Sequence, residues 1–227
     1  MEGNVVDIIN IAIDGPAGAG KSTIAKKIAK ELDIIYVDTG AMYRAFGLYC
    51  IRNNISSDQN DIINNILDDI DISICYIDGE QQVILNDENV NQFIRDEEVG
   101  KMASEVSVNK NVRLKLVELQ RNLATKKSIV MDGRDIGTYV LPNATNKIYL
   151  NASVETRAKR RHKELLEKGI SRDLESIKDE IGKRDYRDMN REFAPLKKAD
   201  DAIEVDTSNI SIDEVVNKIL EMINNNY

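Results

Sequence analysis

The apolar run from Ile8 to Ile13, broken only by Asn10, stops abruptly at Asp14-Gly15-Pro16. A short run of this kind between polar flanks predicts a strand covered on both faces, as in a parallel sheet. From Ser22 the period changes: Ile24, Ala25, Ile28, Ala29 and Leu32 fall on one face of a helix. Strand, loop and helix thus follow in immediate succession. Ile34-Ile35-Tyr36-Val37 predicts a second strand, which leads through Asp38-Thr39-Gly40 into a helix from Ala41 to Asn53. Residues 71–77 instead alternate like a half-buried strand, Asp78-Gly79 is a hairpin signal, and Gln82 to Asn86 returns. This predicts a small antiparallel insert.

Helices over about 96–107 and 109–125 precede an apolar strand at Ser128–Met131, which ends in Asp132-Gly133-Arg134-Asp135. Lys147–Leu150 supplies a further strand, Ser153 opens a charged helix with Glu155 in its first turn, and a second charged helix runs from beyond Gly169 to about Glu192. Ala202–Val205 is a last strand, and Ser211-x-x-Glu214 resembles a capping box at the head of an amphipathic helix ending near Ile223. Strands separated by helices predict an α/β fold with an open parallel sheet of about five strands and helices on both faces.

Composition narrows the functional classes. With 227 residues, 42% hydrophobic and 31% charged, the chain is an ordinary globular one, able to bury roughly 70–75% of its unfolded surface. The 39 acidic against 31 basic residues leave a net charge of −8, so a nucleic-acid polymer is not an expected partner. No run approaches bilayer-spanning length, and the first apolar stretch is short and followed by Asp14, so neither a membrane span nor a secretory signal is expected. Cys50 and Cys75 lack C-x-x-C spacing, and with His162 as the one histidine they predict neither a disulfide framework nor a zinc site. The expectation is a cytoplasmic monomer with reduced thiols.

Gly15-Pro16-Ala17-Gly18-Ala19-Gly20-Lys21-Ser22 fits G-x-x-x-x-G-K-[ST], with the strand before it and the helix after it that the motif needs. Glycines let the backbone turn its N–H groups around phosphate oxygens, and the helix N-terminus adds a positive dipole end. These residues and Thr23 form a candidate ATP site in which Lys21 reaches the β- and γ-phosphates and the Ser22 hydroxyl ligates Mg²⁺. The fold is therefore expected to be of the P-loop NTPase type. Asn146-Lys147-Ile148-Tyr149 lacks the aspartate of a guanine-reading N-K-x-D element, and the chain is short for a motor ATPase, so a small-molecule kinase fits best.

Arginine is concentrated late in the chain. Seven Arg and five Lys against eight acidic residues leave residues 157–191 at +4 and the remainder at −12. Arg157, Arg160 and Arg161 are spaced to share one helix face, as are Arg184, Arg187, Asp188 and Arg191. Planar guanidinium groups suit both the holding of phosphates and the neutralising of charge developing on their oxygens. The plainer alternative is a solvated face stitched by pairs such as Arg184–Asp188. Asp132 ends a strand where an aspartate can hold Mg²⁺, and Arg134 and Asp135 follow at the carboxyl edge of the sheet, the usual ligand crevice. Thr39-Gly40 with Arg44 offers a second anion site, although a helix N-cap by Thr39 explains its hydroxyl equally well. Tyr43, Phe46 and Cys50 read as core, His162 as surface.

The chain resembles the bacterial cytidylate kinases, a family of nucleoside monophosphate kinases, in Asp14–Ser22, in Asp38-Thr39-Gly40-Ala41-Met42-Tyr43-Arg44, in Met131-Asp132-Gly133-Arg134-Asp135-Ile136-Gly137-Thr138, and in Arg184-Asp185-Tyr186-Arg187-Asp188-Met189-Asn190-Arg191 with Ala194-Pro195-Leu196. The resemblance implies transfer of the ATP γ-phosphate to CMP or dCMP with Mg²⁺. It implies one kinase unit over 1–227, with a core at about 1–65, 97–152 and 172–227, an NMP-binding insert at about 66–96 and a short helical lid at about 153–171. It places the acceptor on Thr39, Arg44, Ser104, Arg113, Arg134, Asp135, Arg184, Asp188 and Arg191. Of these, Ser104, Asp135 and Arg184 would meet the cytosine, Arg44, Arg134 and Arg191 the α-phosphate, and Asp188 the ribose. Arg157 and Arg161 would reach ATP from the lid. Lys21, Arg134, Arg157, Arg184 and Arg191 are the candidate catalytic cations, and Ser22 and Asp132 the candidate metal ligands. The residues by themselves leave open a kinase for UMP, AMP or a metabolite alcohol, and an ATP-binding regulatory switch.

Overall fold

The computed structural model describes residues 8–224; residues 1–7 and 225–227, which the expected core includes, lie outside the described residues. The chain runs β1 (Asn10–Asp14), α1 (Lys21–Glu31), β2 (Ile35–Asp38), α2 (Thr39–Arg52), α3 (Asn60–Asn65), β3 (Ile72–Ile77), β4 (Glu80–Leu85), β5 (Glu88–Asn89), α4 (Glu97–Val106) and α5 (Lys110–Ala124). It continues through β6 (Ile129–Gly133), β7 (Asn146–Asn151), α6 (Val154–Glu167), α7 (Leu174–Asn190), β8 (Ile203–Asp206) and α8 (Ile212–Asn224).

Five strands form one parallel sheet in the order β2-β6-β1-β7-β8, and β3-β4-β5 form a separate antiparallel sheet. Alternation along each central strand feeds two cores. Ala12, Ile129 and Met131 face the cluster built on α2, α4, α5 and the small sheet, whereas Ile11, Ile13, Val130, Ile148 and Leu150 face α1 and α8. Burying an aliphatic side chain of this size is worth about 1.5–3 kcal/mol, and nearly all of these are fully buried. Ile8 is exposed and stays outside the sheet, so β1 starts later than the apolar run predicts.

Local chemistry sets several boundaries. The hairpin turn at Asp78-Gly79 has positive φ at both residues, 52° and 78°, as a two-residue turn of the mirror type requires. Ser211 and Glu214 do form a capping box: the Glu214 carboxylate accepts from the Ser211 N–H, and Ser211 Oγ accepts from the Glu214 N–H. The short α3, β5 and a five-residue π-helix at Ile136–Val140 are not predicted by the hydrophobic pattern. Among the described residues no helix is long and apolar enough to cross a membrane.

Strand β2 lies at the sheet edge, and the antiparallel hairpin covers it with side chains. The Asp38 N–H donates to Gln81 Oε1 at 2.8 Å, Gln81 Nε2 donates to the Asp38 carbonyl at 3.1 Å, and the Tyr76 hydroxyl donates to the Tyr36 carbonyl at 3.1 Å. These bonds satisfy edge groups that would otherwise need another strand.

Candidate active site

Three strands bring acidic residues to the same edge of the sheet. The register sets Asp38 of β2 beside Asp132 of β6, and Asp14 of β1 beside Gly133. The loop after β1 packs so tightly that Gly15, at φ 147°, could not carry a side chain: its Cβ would lie 2.0 Å from the Leu150 carbonyl oxygen. The Asp14 carboxylate accepts from the N–H groups of Ile136 and Gly137 at 2.8 and 2.7 Å, which holds the π-helix against the loop. Burial raises its pKa to about 7, opposed by those two hydrogen bonds.

Lys21 opens α1 and is 6% exposed, with its Nζ donating to the Pro16 carbonyl at 2.8 Å. Burial, reinforced by the charge on Arg134, lowers its pKa. Ser22 Oγ donates to Asp132 Oδ2 at 3.0 Å, while the Tyr36 hydroxyl donates to Asp132 Oδ1 at 2.8 Å. Burial and the neighbouring Asp38 carboxylate push the Asp132 carboxyl up. Thr39 is not the cap of α2. Asp38 is, accepting from the Ala41 N–H at 3.1 Å, and the Thr39 hydroxyl donates instead to the Asp132 carbonyl at 2.8 Å.

These groups line one side of a cleft of about 220 Å³ whose other walls come from α4, α5 and α7. Lys21, Arg44, Arg95, Arg113, Arg134, Arg184 and Arg191 face four carboxylates there, those of Asp38, Asp132, Asp135 and Asp188, a formal excess of three positive charges when Lys21 is protonated. Arg113 and Arg191 both pair with Asp135, at 2.6 and 3.2 Å, Arg134 pairs with Asp188 at 2.9 Å, and Arg95 with Asp38 at 2.9 Å. Burial works against the Asp188 carboxylate, but Arg134, Arg184 and Arg191 together hold its pKa below the ordinary value. Among the described residues, Lys21, Arg44 and Arg184 make no ion pair within 4.0 Å. Arg184 Nε is buried without a hydrogen-bond partner, and burial beside Arg134 lowers its pKa only to about 10, so it stays charged at neutral pH. Lys21 and Arg44 are hydrogen-bonded only to carbonyls, of Pro16 and Ile94, and three cations whose charge no carboxylate pairs, in a cleft with built-in positive charge, suit phosphate groups.

The expected acceptor residues Thr39, Arg44, Ser104, Arg113, Arg134, Asp135, Arg184, Asp188 and Arg191 all line this cleft, together with Lys21, Ser22 and Asp132. The suggested Arg184–Asp188 pair does not form, because Asp188 is taken by Arg134. The three arginines of α6 do not act as one stripe. Arg157 is buried behind the glycine loop, donating to the carbonyls of Ala17 and Ala152 at 3.0 and 2.9 Å and to Asp185 at 2.6 Å. Arg160 holds Thr207, and Arg161 pairs with Glu164 of its own helix at 2.9 Å. Neither Arg157 nor Arg161 lines the cleft.

Other lining residues went unselected at the sequence level: Asp38, Arg95, Ser107 and Gln120, as well as Tyr43, which reads there as core. Arg187 stands behind the wall, donating to Ser104 Oγ at 2.8 Å. Asp38 carried a usable signal, an aspartate placed to cap a predicted helix; Arg95 sits in no motif. For a metal, the Ser22 hydroxyl and Asp132 carboxylate are adjacent hard oxygen donors. That set fits Mg²⁺, which commonly uses one or two protein oxygens and completes its shell from phosphates and water. Among the described residues no cluster of three or more His, Cys, Asp or Glu forms an all-protein cage.

Comparison with known proteins places this cleft in context. The profile of the family described as "Cytidylate kinase" matches residues 11–225. The cytidylate kinase of Caldicellulosiruptor bescii is 55% identical over 214 residues, covering 94% of this chain and 95% of that one. That of Lactobacillus johnsonii is 53% identical over 216 residues, covering 95% and 94%. Among solved structures, an uncharacterized protein from Eubacterium ventriosum superposes with a TM-score of 0.51 at 16% identity, covering 95% of this chain and 98% of that one, a likeness of fold alone.

Proposed function

Since the chain belongs to the cytidylate kinase family, we propose that this cleft transfers the γ-phosphoryl group of ATP to CMP or dCMP, giving ADP and CDP or dCDP. The observation that carries the reading is the pairing of a phosphate-binding loop with cations that make no ion pair among the described residues, Lys21, Arg44 and Arg184, in one cleft. Phosphoryl transfer is chiefly a matter of positioning and charge neutralisation. The attacking group is already an anionic phosphate oxygen, so no strong base is needed.

Residues Gly15–Thr23 hold the ATP phosphates through backbone N–H groups at every position but Pro16, which has none, with Lys21 on the β- and γ-phosphates. Ser22 and Asp132 hold Mg²⁺, which when bound neutralises charge on the transferring phosphates. Arg44, Arg134 and Arg191 take the acceptor phosphate, Ser104, Asp135 and Arg184 the base, Asp188 the ribose, while Thr39 and Arg113 support that wall. Arg184 also stays within reach of the charge that develops during transfer. Arg157 braces the glycine loop from behind, and Arg161 extends the lid toward ATP. Segment 66–96 serves as the acceptor insert and 153–171 as the lid, whose closure excludes water. We take the cytoplasmic monomer as the working unit.

An ADP-release assay with ATP·Mg²⁺ and a panel of CMP, dCMP, UMP, AMP and shikimate tests the assignment. CMP and dCMP should give the highest kcat/KM. Strongest turnover with AMP overturns the substrate, and no acceptor-dependent turnover at all overturns the kinase reading. Arg184→Ala should lower kcat/KM for CMP by about 10²-fold, as expected for one preorganised donor, while the Kd for ATP changes less than about threefold. Equal CMP titrations in variant and parent would remove Arg184 from the acceptor site.

A further inference from the structure

We propose that Tyr36 is a positioning residue for the Asp132 carboxylate and thereby sets how strongly Mg²⁺ tightens nucleotide binding. The inference rests on the reading of Asp132 and Ser22 as the metal-holding pair. Asp132 is 5% exposed, and each of its two carboxylate oxygens has one side-chain donor: Ser22 on Oδ2 at 3.0 Å and the Tyr36 phenol on Oδ1 at 2.8 Å. The terminal torsion of an aspartate is soft, so a single donor leaves the carboxylate plane free to turn. Two donors on opposite oxygens fix it. A metal on Ser22 takes a lone pair of the hydroxyl and leaves its proton on Oδ2, so Tyr36 is the donor that holds the opposite oxygen, Oδ1.

The phenol is itself held from three sides. Parallel pairing of β2 with β6 puts Tyr36 opposite Val130 and two residues before Asp38, which stands opposite Asp132. Tyr36 and Asp132 therefore share a face of the sheet. The Lys26 ammonium lies 5.7 Å from the centre of the ring, and the Tyr36 carbonyl accepts from Tyr76 of the antiparallel hairpin at 3.1 Å. Ring, backbone and hydroxyl together form a continuous path from the hairpin to the carboxylate beside the glycine loop. Partners that orient a metal-holding group commonly change metal affinity by about 10–100-fold when removed.

The test measures ATP affinity by calorimetry with and without Mg²⁺ in the parent, Tyr36→Phe and Asp132→Asn proteins. Phenylalanine keeps the ring under Lys26 and deletes only the donor. The expected result is that Mg²⁺ tightens ATP binding in the parent, that this gain is lost in D132N, and that it shrinks by about tenfold in Y36F with the metal-free Kd unchanged. A purely structural role for Tyr36 would shift both constants in proportion, and that outcome overturns the proposal. So does a gain in Y36F equal to the parent's while D132N has lost it. A gain retained in D132N overturns the metal-pair reading itself, a result distinguishable from failure at Tyr36.

Discussion

Replacing Lys21 with Met should lower kcat by about 10³-fold, at the upper end of what loss of one preorganised donor costs, while the Tm stays level or rises. The ammonium is buried at the head of α1, where it donates to the Pro16 carbonyl. Burial and Arg134 both work against its charge in the free protein, with Asp132 only partly offsetting them. A buried cation held this way contributes little to stability, so a methionine of similar length fills the space without penalty. Its value appears when phosphate charge arrives and draws the proton back. The pH dependence follows with a definite sign. ATP affinity in the parent should fall as pH rises through the lowered pKa of Lys21, because the neutral amine no longer attracts phosphate. That alkaline limb should be absent from the Met variant, whose residual binding comes from the glycine-loop backbone. Single-turnover kinetics and titrations across pH check both parts; an unchanged kcat would place Lys21 outside the chemistry.

What the sequence reveals about this site depends on whether a local pattern or a tertiary contact decides each residue. The glycine loop is legible because its spacing between strand and helix is a local pattern, although the reason Gly15 itself can carry no Cβ, the Leu150 carbonyl 2.0 Å from where it would lie, is a tertiary contact. Asp132 and Asp135 are legible because they follow an apolar strand. Arg157 is only half legible. Its residue type promises phosphate chemistry, but its partners at Ala17 and Asp185 come from distant parts of the chain, and they place it behind the loop instead of in the cleft. The π-helix at Ile136–Val140 has neither the length nor the period that betrays a helix; the Asp14 carboxylate, more than a hundred residues earlier, fixes its first turn. Arg95 joins the cleft by pairing with Asp38 across the hairpin junction, which no spacing could announce. The net charge of −8 likewise hides a lining with three excess positive charges, since a sum over the chain carries no position.

The second large effect is on stability. Asp135→Asn should destabilise the fold by about 3–5 kcal/mol, the cost of breaking a buried ion pair from one side, and lower Tm by about 10 °C or more for a domain of this size. The Asp135 carboxylate lies between Arg113 and Arg191, with donors at 2.6 and 3.2 Å, and all three side chains are at most 5% exposed. Asparagine keeps one acceptor oxygen but turns an amide N–H₂ toward the second guanidinium and removes the carboxylate that pairs with both arginines. Neither arginine can leave: Arg113 is also tied to the Ser107 carbonyl, with its Nε already unpartnered, and Arg191 to the Ala194 carbonyl. Two positive charges then remain buried against each other and against Arg134 and Arg184 across the cleft, and acceptor binding should weaken along with the fold. The exposed Arg52–Glu88 pair supplies the control. Its hydrogen bonds, at 2.5 and 3.0 Å, are as short as those of the buried pair, but both side chains are solvated, and Glu88→Gln should leave Tm unchanged. Equal Tm values for D135N and the parent would mean that water reaches the Arg113–Asp135–Arg191 cluster, and that the acceptor wall is held by its backbone bonds instead of its charges.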